Sequence, residues 1–305
     1  MRVAVHFGAH KTATTLLQNF LLASKGELRR QGLGYIPLHV SRKALFPAIG
    51  KLAAGHQGAG IGLTEERVRR QLLTAVRPNA QDVPPLQRLL ISDENLSGPL
   101  SALWKGENLY ADGPRRLLAL KRIFPDSEFD YFCCIRTYAD FAVSAYCEVL
   151  RHRKLASFES LLAGLKDDQL SWTRFLEQVQ KTVGVGKVLF WCYEDFVRSQ
   201  SGVVESLTGV NLAKSGMMMD KRVRSSLSKK AVAIIQAAEP YLSDAEHVKL
   251  ANYLAEKFPF EDDGGKLTIA DSARAGRLSE RYARDLAELT NRSVPETGIV
   301  RRLVR

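Results

Sequence analysis

The chain has 305 residues, of which 45% are hydrophobic and 25% charged, and 44 Lys plus Arg against 33 Asp plus Glu leave a formal charge of +11. That length suffices for one large core or two small ones, and the composition excludes a disordered chain, a collagen-like repeat and a disulfide scaffold. The positive excess points to an anionic partner: nucleic acid, a membrane surface, or a small molecule with several negative charges.

Arg2 to Phe7 is a nearly continuous apolar run and predicts a short buried strand. It carries no signal-peptide pattern, and no uninterrupted apolar run of about 18 residues occurs anywhere, so the expectation is a cytoplasmic protein without a membrane span. After a Gly/Thr turn, Leu16, Leu17, Phe20, Leu21 and Leu28 fall on one helical face before Gly32. Residues 50–62 contain five glycines and read as an irregular loop, a surface connection or a lid. Arg88–Ser92, Phe129–Ile135 and Lys187–Cys192 read as three further buried strands, each preceded by a helical pattern.

Trp172, Phe175, Leu176, Val179 and Val183 recur at helical spacing, with Ser171 as N-cap and Gly184 as terminator. No comparable strand signal follows Cys192, so the last third reads as helical, with a Ser243-Asp-Ala-Glu246 capping box and a turn at Glu261–Gly265. Cys133, Cys134, Cys147 and Cys192 lie in apolar stretches without C-x-x-C spacing, which reads as buried reduced thiols and no metal site. Continuous apolar strands separated by helices predict an α/β fold of three layers, with a mainly parallel central sheet and helices on both faces. The expected organisation is one domain over residues 1–305, with residues 229–305 either packed on the same sheet or set off as a helical extension.

The strongest local signal is Gly8-Ala9-His10-Lys11-Thr12-Ala13-Thr14-Thr15, between the first strand and the first helix. A turn there aims backbone N–H groups and the positive end of a helix dipole at whatever sits above the strand's carboxyl end. Lys11 adds a point charge, and Thr12, Thr14 and Thr15 add hydroxyl donors. The spacing does not fit the G-x-x-x-x-G-K-[ST] triphosphate loop, because only two residues separate Gly8 from Lys11 and no glycine precedes the lysine.

This segment resembles the 5′-phosphosulfate loop of the sulfotransferases that use 3′-phosphoadenosine 5′-phosphosulfate (PAPS), with Ala13 standing where that family usually has glycine. A second stretch, Cys134-Ile-Arg136 through Ser144, is similar to the family's 3′-phosphate segment, an arginine at a strand end and a serine eight residues on. The resemblance implies a P-loop-like sulfotransferase fold, Gly8, Lys11, Thr12, Ala13, Thr14 and Thr15 around the 5′-phosphosulfate, and Arg136 and Ser144 on the 3′-phosphate. Tyr193, in Tyr193-Glu194-Asp195, resembles the family's tyrosine near adenine. The basic stretch Lys221–Lys230 falls where the family closes a loop over the 3′-phosphate. PAPS would be the donor and adenosine 3′,5′-bisphosphate the product, with no metal, and a carbohydrate or other small, acidic acceptor as partner.

Sulfuryl transfer needs a base for the acceptor hydroxyl and stabilisation of the leaving phosphate oxygen. Lys11 suits the second task. Glu94, in Ser92-Asp93-Glu94-Asn95 after a strand, is the candidate base, with Asp93 and then His10 behind it. The same strand followed by Asp-Glu also has the look of a Walker B segment, so an ATP- and Mg²⁺-dependent phosphotransferase is the competing expectation. A nucleic-acid-binding module ranks third, because no zinc finger, aromatic RNA-binding strand or recognition helix is legible.

Overall fold

The computed structural model describes residues 1–55, 61–77, 84–184, 186–212, 226–259, 265–291 and 300–303. In chain order the elements begin with β1 (Arg2–His6), α1 (Thr14–Ala23), α2 (Lys25–Arg30), β2 (Leu33–Ile36) and α3 (Leu38–Val40). A π-helical turn at Ser41–Leu45 leads from α3 into α4 (Phe46–Ala53), followed by α5 (Ile61–Val76) and β3 (Arg88–Ser92). Then come α6 (Gly113–Ile123), β4 (Glu128–Ile135), α7 (Tyr138–Leu150), α8 (Phe158–Gly164), α9 (Trp172–Val183), β5 (Lys187–Cys192) and α10 (Tyr193–Thr208). The chain closes with α11 (Lys229–Ala238), α12 (Asp244–Lys257), α13 (Ser272–Asn291) and β6 (Val300–Arg302).

The strands form one sheet in the order β2-β3-β1-β4-β5-β6, and every neighbouring pair is parallel. Alternation along β1 divides the interior: Val3 and Val5 enter one apolar cluster, Ala4 the other. The larger cluster joins the sheet to α4–α9 and to residues of α11–α13, among them Ala231, Leu254, Leu278 and Leu289. The smaller one holds Leu17 and Leu21 of α1, Leu28 of α2, and Phe196, Val203 and Leu207 of α10. Three layers with helices on both faces are therefore present, and the helices after Lys229 share the main core.

Local signals set the individual elements. Ser171 caps α9 by accepting from Arg174 N, and Trp172, Phe175, Leu176, Val179 and Val183 are all buried, about 1.5–3 kcal/mol each. Ser243 and Glu246 form the capping box of α12. Four expectations are corrected. The segment expected as one helix before Gly32 breaks at Ser24 into α1 and α2. Two strands escaped the pattern: β2, only four residues long, and β6, three residues that pair with β5 although no strand was expected after Cys192. The 50–62 stretch is helical at both described ends, with Gly50–Ala53 closing α4 and Ile61 opening α5; residues 56–60 lie outside the described residues. Residues 221–225 of the basic stretch and 261–264 of the expected turn also lie outside them, while Lys229 and Lys230 open α11. Among the described residues no helix is long and apolar enough to cross a membrane.

Candidate functional site

The sheet topology singles out the carboxyl end of β1. Its exit helix α1 lies on the small-cluster face, whereas its neighbours β3 and β4 lead to α6 and α7 on the opposite face. Such a divergence opens the crevice in which open α/β sheets bind ligands. The predicted residues converge on this end from separate strands, with Gly8–Thr15 after β1, Asp93 and Glu94 after β3, Arg136 after β4 and Tyr193 after β5.

The loop after β1 is anchored by continuing the ladder to β4: Phe7 N donates to Phe132 O (2.9 Å) and Ala9 N to Cys134 O (2.8 Å). It then turns with left-handed backbone at Gly8 (φ 41°), Lys11 (φ 64°) and Ala13 (φ 60°). Ala13 thus takes the conformation glycine favours and bears the strain of it, about 1–2 kcal/mol. Leu16 and Leu17 both donate to Ala13 O, so the amides before them are left without intrahelical acceptors at the dipole's positive end. Left-handed turns of this kind curl the backbone into an anion-binding concavity. Thr12 and Thr14 are buried and donate to Ala9 O (2.6 and 3.5 Å), so their hydroxyl protons brace the loop, whereas Thr15 is exposed. Gly8 sits below, where a Cβ would make only ordinary contacts, 3.4 Å from His6 Nε2 and 3.6 Å from Glu94 Cβ, so its left-handed backbone rather than crowding favours glycine.

Two cations flank this concavity. Lys11 Nζ donates to Glu148 Oε2 of α7 at 2.8 Å. Burial pushes the Glu148 carboxyl up, but Lys11, Arg151 and His152 outweigh it and hold the group at about 2. Ser144, buried, stands one turn before Glu148 on the same face of α7, which brings it toward Lys11. Arg136 donates from Nη1 to Lys11 O (2.8 Å), and its guanidinium lies 4.4 Å from the Tyr193 ring centroid; its Nε is buried without a partner among the described residues. Its carbonyl accepts from Trp172 Nε1 (2.8 Å), and the next amide, Thr137 N, donates to Glu194 Oε1 (3.0 Å). The structure therefore joins the two predicted motifs directly, through Lys11 and Arg136.

The carboxylates after β3 have different surroundings. Asp93 is fully buried, accepts from Asn95 N and pairs with Arg42 Nε at 3.2 Å. Burial and the Glu94 charge raise its pKa, with Arg42 opposing. Glu94 is more open, accepting from Gln18 Nε2 (3.0 Å) and Arg42 Nη2 (3.4 Å). His10 is buried with both ring nitrogens engaged, Nε2–H donating to Asn95 Oδ1 (3.1 Å) and Nδ1 accepting from Tyr110 OH (2.9 Å). Burial lowers its pKa. Of the three base candidates, only Glu94 keeps its carboxylate partly accessible at the loop's edge.

Glu148 and Arg42 were missed by sequence reasoning. Glu148 had a usable signal, its (i, i+4) position after Ser144; Arg42 had none, because its partners are 51 and 52 residues away. Among the described residues no group of three or more His, Cys, Asp or Glu side chains is arranged to hold a metal ion. No protein-family model matches the chain, and no curated protein matches it.

Proposed function

We propose that the chain transfers a sulfuryl group from PAPS to an acceptor hydroxyl, carbohydrate being the favoured acceptor class. The observation that carries the reading is the connection of two cationic anchors, Lys11 in the α1 concavity and Arg136, through a 2.8 Å hydrogen bond to the Lys11 carbonyl. A donor with phosphates at two ends matches two linked anchors better than a triphosphate does. In this reading Gly8–Thr15 cradles the 5′-phosphosulfate, Arg136 and Ser144 take the 3′-phosphate, and Tyr193 borders the adenine. Glu94 accepts the acceptor's hydroxyl proton as its oxygen bonds to sulfur. The bond from sulfur to the 5′-phosphate oxygen breaks, and that oxygen leaves with the electron pair beside Lys11.

The phosphotransferase alternative would use Asp93 on Mg²⁺, yet that carboxylate is buried and committed to Arg42 and Asn95 N. Calorimetry separates the two: adenosine 3′,5′-bisphosphate should bind without metal, and Lys11→Met or Arg136→Met should abolish that binding. Under the same proposal Glu94→Gln should bind the bisphosphate normally while transferring labelled sulfate about a hundredfold more slowly. Binding of Mg-ATP but not of the bisphosphate would overturn the proposal.

A further inference from the structure

We infer that Glu148 is a positioning residue for Lys11, holding the lysine in an ion pair that the 5′-anion of a ligand must displace, so that the loop takes an anion only in exchange for Glu148. The inference rests on the reading of Gly8–Thr15 as the 5′-phosphate cradle. Lys11 Nζ and Glu148 Oε2 are 2.8 Å apart, and both side chains are about four-fifths shielded from water, at 21% and 22% exposure. At that depth the pair is poorly screened, and an anion arriving at the α1 concavity meets a lysine whose charge is already neutralised.

Glu148 also has somewhere to go. Its other oxygen, Oε1, lies 3.4 Å from Nε2 of His152, in the turn that follows α7, and Arg151 at the helix end adds positive charge. A carboxylate released by Lys11 is therefore not left among apolar groups. Glu148 thus lowers the loop's affinity for any anion that cannot compete for the ammonium, whereas a phosphosulfate also anchored through Arg136 can.

The test is titration calorimetry of the wild type and Glu148→Gln with 5′-AMP, 3′-AMP and inorganic phosphate. Glutamine keeps the size and can still accept from Lys11, but it removes the competing charge. The 5′-AMP and phosphate constants should tighten about tenfold, about 1.4 kcal/mol, whereas 3′-AMP, held from the Arg136 side, should not change. Adding Lys11→Met should cancel the gain. A merely structural role for Glu148 predicts the opposite sign, weaker binding of every probe. Unchanged or weaker 5′-AMP and phosphate binding would overturn the inference, as would equal tightening of 3′-AMP, which would mark a general charge effect. If neither chain binds nucleotide, the sulfotransferase proposal falls and the phosphate arm still decides the inference: a gain upholds it, no gain ends it. Should Glu148→Gln fail to fold, Glu148→Asp, which withdraws the charge by one methylene, carries the same test with a smaller gain.

Discussion

His6 is held in surroundings very unlike water. It closes β1 with 1% exposure, its Nδ1 is 2.9 Å from Ser92 Oγ, its ring stacks on Trp191, and its Nε2 has no partner among the described residues. Burial drives its pKa down from 6.5 to about 4, with the Glu94 charge opposing. The fold accommodates the neutral ring, whereas the unfolded chain takes up a proton first as pH falls. Stability is therefore full above pH 6.5, erodes as pH drops toward 4, and loses about 3 kcal/mol across that window. Thermal melts between pH 7 and 4 should show this slope, and His6→Phe, which retains the stacking but not the titration, should flatten it. The Glu148 contribution lies lower, lost as pH falls from 4.5 through about 2, so the two effects separate. At this scale Lys11, Ala13 and Arg136 were legible because their motifs are local. Their partners were harder to see: Lys11 meets Glu148 across 137 residues, with only the helical spacing from Ser144 to point to it, and Arg42 reaches Asp93 from 51 residues away with no local signal at all.

Among the elements, α13 does most to fix the site from a distance. Tyr282 of α13 donates to Glu194 Oε2 (3.0 Å), and Glu194 Oε1 accepts from Thr137 N beside Arg136. On the other side Tyr138 OH donates to Asp285 of α13 and accepts from Trp172 N (2.6 Å), and the Trp172 indole holds the Arg136 carbonyl. Arg136 is thus fastened through two routes to a helix more than 130 residues downstream. Tyr282→Phe, which removes one hydroxyl, should weaken adenosine 3′,5′-bisphosphate about three- to tenfold by loosening the arginine, an effect the size of one ordinary net hydrogen bond passed on indirectly. Binding of 5′-AMP should stay the same, and equal weakening of both ligands would mean general loosening instead. The sequence pattern located four of the six described strands because each is at least five residues long with a core of three or more consecutive apolar residues. β2 failed because Leu33-Gly-Tyr-Ile is short and contains Gly34, which is needed there since a Cβ would come within 2.9 Å of Val76. β6 failed because arginines form two of its three positions, which leaves no apolar run to mark it.

For the whole molecule, composition fixes the excess of +11 and the fold decides where that charge is exposed. Asp130, Asp93, Glu65, Asp167 and Asp195 are each engaged by arginine, which leaves the remaining basic groups to set a positive field. The parallel sheet gives that field two ends with different duties. At the carboxyl ends of the strands lies the crevice beside Gly8–Thr15; at the amino ends lies a cleft of about 350 Å³ bordered by Arg2, Arg88, Asp130, Lys187 and Glu205. Arg88 is mostly buried there, paired with Asp130 at 2.9 Å and covered by Gly209, the left-handed cap of α10 (φ 79°). A Cβ on Gly209 would stand 2.7 Å from Arg88 Nη1. Gly209→Ala should therefore destabilise the fold by about 1–3 kcal/mol, from the left-handed backbone and the displaced guanidinium together. β3 carries Arg88 and Ser92 at opposite ends, about 13 Å apart at the rise of an extended strand. That distance exceeds the range over which substitutions usually couple, so Gly209→Ala should leave nucleotide affinity unchanged and should add independently to Glu148→Gln. Denaturant melts and calorimetry on the two single variants and the double variant check this. A change in nucleotide binding on Gly209→Ala would mean that the sheet transmits strain from its amino ends into the crevice, making Arg88 part of the site's support.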